Sequence, residues 1–353
     1  MSSRNVFMIL LAMITISLSC NETPMPNTTE GDWLIPKDQV KDGGPGKDGI
    51  PALTNPNFIN AGDASYLKDD DLVLGVFING EARAYPHPIL DWHEIINDDI
   101  KGTKIAVTYC PLTGTGIGYN PVIGGQATTF GVSGLLYNSN LIPYDRQTNS
   151  NWSQMLMKSV NGRLIGTVVQ TMPLLETRWD TWKTMFPETK VVSTETGYDR
   201  SYGTYPYGSY RTSDFLIFPI SNDDRRLPRK ERVHGVIVGN KTRVYQITSF
   251  SDSITTINDT FNGTELIVVG SHLLNFAVAY ERTLSSGTEL TFSPVQHALP
   301  VVMIDTEGTK WDIFGKAVSG ARAGTQLKPL RSYTAYWFAW GTFFPGAEID
   351  STK

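Results

Sequence analysis

The chain has 353 residues, 40% of them hydrophobic and 18% charged, a balance that excludes a disordered chain and allows a sizeable core. Acidic residues outnumber basic ones 35 to 30, and no basic stripe offsets this, which argues against nucleic acid as a partner.

The N-terminus differs from the rest. Arg4 gives a short positive start, and Val6 to Ile16 (VFMILLAMITI) is an apolar run of signal-peptide length. It is too short to span a bilayer comfortably. It leads through Ser17-Leu18-Ser19 to Cys20, which resembles a bacterial lipoprotein signal, although Ser17 and Leu18 depart from the usual residues there. The alternative is an ordinary secretory signal with an incidental cysteine. Residues 1–20 are therefore expected to direct export, with Cys20 acylated and the protein anchored to a membrane outside the cytoplasm. Residues 21–35 (NETPMPNTTEGDWLI) read as a tether to the domain. With Cys20 lipidated, Cys110 is a thiol without an intrachain partner in an oxidising compartment.

The body of the chain matches itself in order. Gly75, Val76, Arg83 and Tyr85 correspond to Gly235, Val236, Arg243 and Tyr245. Ile96-Asn97-Asp98 corresponds to Ile257-Asn258-Asp259, and Trp152 to Trp311. Trp179, Trp182, Phe186 and Pro187 fall at the spacing of Trp337, Trp340, Phe344 and Pro345. The expectation is a domain over 36–348 made of two tandem copies, 66–190 and 226–348, packed as one body about a pseudo-twofold axis. A Tyr- and Gly-rich connector (GYDRSYGTYPYGSYR) and a charged patch (NDDRRLPRKER) lie between them. Residues found in one copy only are the candidates for chemistry: Cys110 aligns with Ser271, and His93 has no histidine counterpart.

Local patterns give a mainly β, α+β fold. Asn79-Gly80 between two alternating runs is a hairpin signal. Lys104 to Tyr109, Ala127 to Val132 and Leu266 to Gly270 are β-branched runs bounded by Gly or Pro. Leu90 to Asn97 reads as a helical turn or tight bend. Thr177 to Phe186 and Ser332 to Phe344 place aromatic residues at helical spacing before a proline, and are expected to be helices.

Cys110 ends a strand and opens into Pro-Leu-Thr-Gly-Thr-Gly, a loop whose N–H groups would stabilise a thiolate. No G-K-[S/T] and no helix follow, so it is not a phosphate loop. His93 lies 17 residues earlier, with Glu94 and Asp91 beside it to orient an imidazole. His87, between two prolines, reads as an exposed loop residue. His272 falls beside the position equivalent to Cys110 and would join a site between the copies. Asp145 precedes Trp152 as Asp305 precedes Trp311, which reads as a turn anchored by a tryptophan. Ser133 and Arg146 occur in the first copy only and, with Arg83, Asp91 and Asp145, are expected to line the site.

The segments GGPGKDGIPAL (43–53), RAYP (83–86), WHEIIND (92–98), TYCPLTGT (108–115), VSGLLYNS (132–139) and YDRQT (144–148) together resemble the DUF3179 family, commonly exported bacterial and archaeal proteins of unknown function. The usual I-V-N-D stands here as I-I-N-D. The resemblance covers residue 36 to about 345 and implies that Arg83, His93, Glu94, Cys110 and Asp145 sit in the family's signature segments.

Three functions follow as expectations. The first is binding of a soft transition metal, copper before zinc, by Cys110 thiolate and His93. The second is an enzyme with Cys110 as nucleophile, His93 as base and Asp91 or Glu94 orienting it. The third is a structural or ligand-binding surface protein with a buried, inert Cys110.

Overall fold

Asn79 (φ +51°) and Gly80 (φ +73°) close a two-residue hairpin between strands Leu72–Ile78 and Glu81–Pro86, the turn that Asn-Gly favours because both central residues take positive φ. The computed structural model describes residues 31–351. The expected signal peptide, Cys20 and the first part of the tether lie outside the described residues. The end of the expected tether is part of the body: Trp33 bridges to Asn161, Leu34 N–H donates to Val160 O at 2.8 Å, and Ile35 is buried.

The protein is mainly β with three seven-residue α-helices among the described residues, His87–His93, Trp179–Met185 and Trp337–Phe343. The Leu72–Ile78/Glu81–Pro86 hairpin is flanked by Leu175–Arg178, which runs straight into the second helix. Strand Lys190–Val192 then returns parallel to Glu81–Pro86. The later part of the chain has the same order: hairpin Arg232–Val238/Lys241–Gln246, strand Arg331–Tyr336 leading into the third helix, and Glu348–Ile349 parallel to Lys241–Gln246. The second and third helices each lay a tryptophan on a glycine of the neighbouring hairpin. A Cβ on Gly75 would stand 2.4 Å from the Trp182 ring, and one on Gly235 2.2 Å from the Trp340 ring. Only glycine leaves room for the indole.

Polar anchors also occur in pairs. Trp152 Nε1 donates to Asp145 Oδ2 and Trp311 Nε1 to Asp305 Oδ2, both at 3.1 Å. Asn97 holds both backbone groups of Phe130, as Asn258 holds those of Phe292. A shared apolar cluster takes Cys110, Phe130 and Trp152 from the earlier part together with Tyr333, Trp337 and Trp340 from the later part. Burying these rings at one seam joins the two parts through the hydrophobic effect.

Two expected helices are shorter than the sequence implied. Leu175–Arg178 is a strand, so the helix begins at Trp179. Ser332 to Tyr336 lies within strand Arg331–Tyr336, which pairs residue by residue with Arg232–Ile237. The alternation of Tyr333, Ala335 and their neighbours overrode the aromatic spacing because the hairpin offers a free edge. The expected run Ala127 to Val132 is interrupted at Thr128 and Thr129, and the strand starts at Phe130.

Candidate functional site

Helix His87–His93 carries a proline in its first turn and ends where Glu94 takes φ +57°, ψ −32°. That conformation is costly for a residue with a Cβ. It turns the chain from helix to strand Ile95–Ile100 within one residue and sends the Glu94 side chain inward, where it is 6% exposed. Glu94 O accepts from Tyr109 N–H at 2.7 Å, so the residue lies beside the end of strand Thr103–Cys110.

Cys110 is 1% exposed. Its Sγ lies 3.7 Å from Ser139 O, and the Thr113 hydroxyl and the N–H groups of Thr113 and Leu141 also face it. Burial, then the nearby Glu94 carboxyl, push the thiol up to about 11, and those donors offset only part of the shift. Burial raises Glu94 itself to about 8, against the pull of the Tyr207 hydroxyl. Near neutral pH the thiol is protonated and the carboxyl mostly so.

The connector lies over this pair. Tyr205 Oη donates to Pro111 O at 3.3 Å and Tyr210 Oη to Leu112 O at 2.9 Å. Trp92 Nε1 donates to Thr204 O at 3.1 Å. Arg211 donates to Asp91 Oδ1 at 2.5 Å and packs its guanidinium on the Tyr205 ring. Burial pushes the Asp91 carboxyl up to about 7, while the charged Arg211 pulls it back.

His93 has both ring nitrogens engaged by other partners. Its Nδ1 bonds to Pro51 O at 2.6 Å and its Nε2 to Tyr202 Oη at 2.7 Å, so neither nitrogen is free to serve Cys110. Burial lowers its pKa and keeps the ring neutral. Among the described residues no group of three or more His, Cys, Asp or Glu side chains is arranged to hold a metal ion. The residue beside Cys110 is Glu94.

The other expected site residues divide clearly. Arg83 binds Glu81 and Asp98, and stacks on Phe58, as part of the first hairpin. Ser133 donates to Ile142 O at 2.5 Å inside its sheet. Asp145 anchors Thr148 and Trp152, which is the turn the sequence pattern implied. Arg146 binds Asp48 and Phe130 O. His272 is exposed and sits 3.4 Å from Asp252 rather than at the thiol.

His87 corrects the sequence reading: it is 4% exposed, because its neighbour Pro88 starts a helix instead of extending a loop. It lines a cleft of about 330 Å³ with Tyr109, Arg211, Lys230, Arg232 and Tyr336, and with Asp70 and Asp71 at one side. Arg232 is ion-paired with Glu176, whose Oε2 lies 3.9 Å from His87 Nε2. Both of these buried atoms lack a hydrogen-bond partner. Lys230 Nζ donates to Tyr210 O at 3.1 Å and Phe215 O at 3.3 Å, under the faces of Tyr210, Tyr336 and Phe338. Burial lowers its ammonium to about 7, against the pull of Asp214, and the two carbonyls and ring faces favour the charged form. Sequence reasoning missed this cleft, because its cations come from a connector and a charged patch that look like solvated linkers.

A family model described as "Protein of unknown function (DUF3179)" matches residues 47–347. No curated protein and no solved structure matches the chain.

Proposed function

The chain belongs to the DUF3179 family, and from that premise we propose that it binds a small organic monoanion, a carboxylate, in the cleft lined by His87, Arg211, Lys230 and Arg232. The observation that carries this reading is the charge left over at Lys230. Arg211 is matched by Asp91 and Arg232 by Glu176, whereas Lys230 makes no ion pair among the described residues and is held only by carbonyls and ring faces. One unmatched cation favours one negative charge on the ligand. Asp70 and Asp71 on the cleft wall oppose negative charge, and oppose a dianion about twice as strongly as a monoanion. In this reading Cys110 is a buried, protonated thiol of the apolar core and not a nucleophile or a copper ligand.

The same proposal includes export and a lipid anchor at Cys20, which would place the cleft outside the cytoplasm. It also includes descent of 66–190 and 226–348 from one unit, supported by the paired glycine–tryptophan and aspartate–tryptophan contacts.

Titration calorimetry of the full chain with acetate tests the binding reading. Saturable binding that weakens at least ten-fold in Lys230→Met is expected. Binding unchanged by that substitution, or none in the wild type, would overturn it.

A further inference from the structure

The cleft does not end at Arg232. Strands Arg232–Val238 and Arg331–Tyr336 pair so that Arg232 faces Tyr336 and His234 faces Thr334. Arg232 and Tyr336 line the cleft, whereas His234 and Thr334 line a second cavity of about 110 Å³. The first hairpin repeats the step, with Leu72 at the cleft and Leu74 at the cavity. Residues two apart on a strand share a face and lie about 6.6 Å apart along it. The two hollows are therefore consecutive positions along the same strand faces. Glu176 stands at the junction: it pairs with Leu74 across the sheet, lines the second cavity, and reaches Arg232 with its carboxylate.

The second cavity differs chemically from the first. Its walls include Ile117, Ala277, Ala279 and Tyr333. Among its polar residues is His234, 4% exposed, whose Nδ1 meets Thr334 Oγ1 at 3.2 Å while Nε2 has no partner. Burial keeps this ring neutral, with a pKa down to about 3. Unpartnered buried nitrogen is costly, so the cavity is built for something that hydrogen-bonds there.

We infer that cleft and cavity are one groove, and that the ligand is a carboxylic acid with a short apolar body and a hydroxyl at its far end. This rests on the carboxylate reading of the cleft. The carboxylate sits at Lys230, the body passes the Glu176–Arg232 pair, and the hydroxyl meets His234 Nε2. No covalent step is involved.

Three probes separate this inference from the reading it rests on: acetate, hexanoate and 6-hydroxyhexanoate, each titrated into the full chain. The expected order of affinity is acetate, hexanoate, 6-hydroxyhexanoate, with at least ten-fold between the first and the last. In His234→Phe, whose ring fills the cavity, the ratio of the last to the first should collapse to near one. His234→Gln, which keeps the fold less disturbed, should lose the advantage of the hydroxyl probe over hexanoate. Three equal affinities in the wild type would overturn the groove while leaving the carboxylate cleft standing, the imidazole then serving water alone. Failure of all three probes to bind would overturn both.

Discussion

The carboxyl of Glu94 shares a buried pocket with the thiol of Cys110 and helps to hold that thiol well above its ordinary range. A negative charge at either position would meet low polarity and a neighbour that is itself acidic, so the pair is most stable with both protons in place.

Cys110 should therefore be slow to react. A rise from 9.0 to about 11 lowers the thiolate fraction at neutral pH by about a hundred-fold. Iodoacetamide should label the folded protein at least that much more slowly than the urea-unfolded chain. Cys110→Ala should cost about 1–2 kcal/mol of stability in denaturant titrations, the loss of a buried sulfur. Labelling faster than a free thiol would contradict this and restore the nucleophile reading.

Glu94 makes stability depend on pH. In the unfolded chain its proton leaves near 4.5, whereas in the folded protein it stays until about 8. The folded state binds the extra proton within that window, so this contribution is full below 4.5 and is lost as pH rises to about 8. The loss is on the order of 5 kcal/mol at most. Glu94→Gln should flatten the fall in urea midpoint across the window, and an unchanged slope in that variant would refute the assignment.

Gly75 and Gly235 should be equally intolerant of a side chain. Each lies under an indole that a Cβ would strike, at 2.4 Å and 2.2 Å. Gly75→Ala and Gly235→Ala should each destabilise by about 1–3 kcal/mol. The proposed common origin of 66–190 and 226–348 implies that the two costs match. Tolerance at one position and collapse at the other would count against equivalent roles.

Much of this scaffold was legible in the sequence. Asn79-Gly80 has one good turn to make, and Asp145 with Trp152 stands where Asp305 and Trp311 repeat the spacing. The sequence set His93 beside Cys110 as its partner, and it did not show that both His93 nitrogens bond elsewhere while Glu94 comes near the thiol. His93 and Glu94 are neighbours at a helix end, and which of them reaches the thiol depends on the single positive φ at Glu94. A helical turn or bend read from composition carries no such detail. The cleft was hidden for another reason. Lys230 and Arg232 belong to a run that reads as solvated charge; strand pairing with 331–336 turns Arg232 inward, and the N–H groups of Phe338 and Trp337 hold Arg229 O and Glu231 O on either side of Lys230.

Lipidation is open to a simple comparison. Wild-type protein expressed in a bacterium with its full N-terminus should partition into detergent and stay with membranes, and Cys20→Ala should lose both. A mature wild type that begins elsewhere and remains in the aqueous phase would rule the anchor out.

The most direct test is the proton balance of carboxylate binding. Lys230, lowered by burial to about 7, gains a negative neighbour when the cleft fills, so its pKa must rise and binding must draw in protons. Calorimetric titration with acetate at neutral pH, in buffers of different ionisation enthalpy, should show uptake of up to about half a proton per site. Affinity should strengthen as pH falls through 7 while the acetate stays ionised. Lys230→Met should show neither binding of that strength nor uptake. Binding with no proton uptake and no pH dependence, retained in Lys230→Met, would contradict the account.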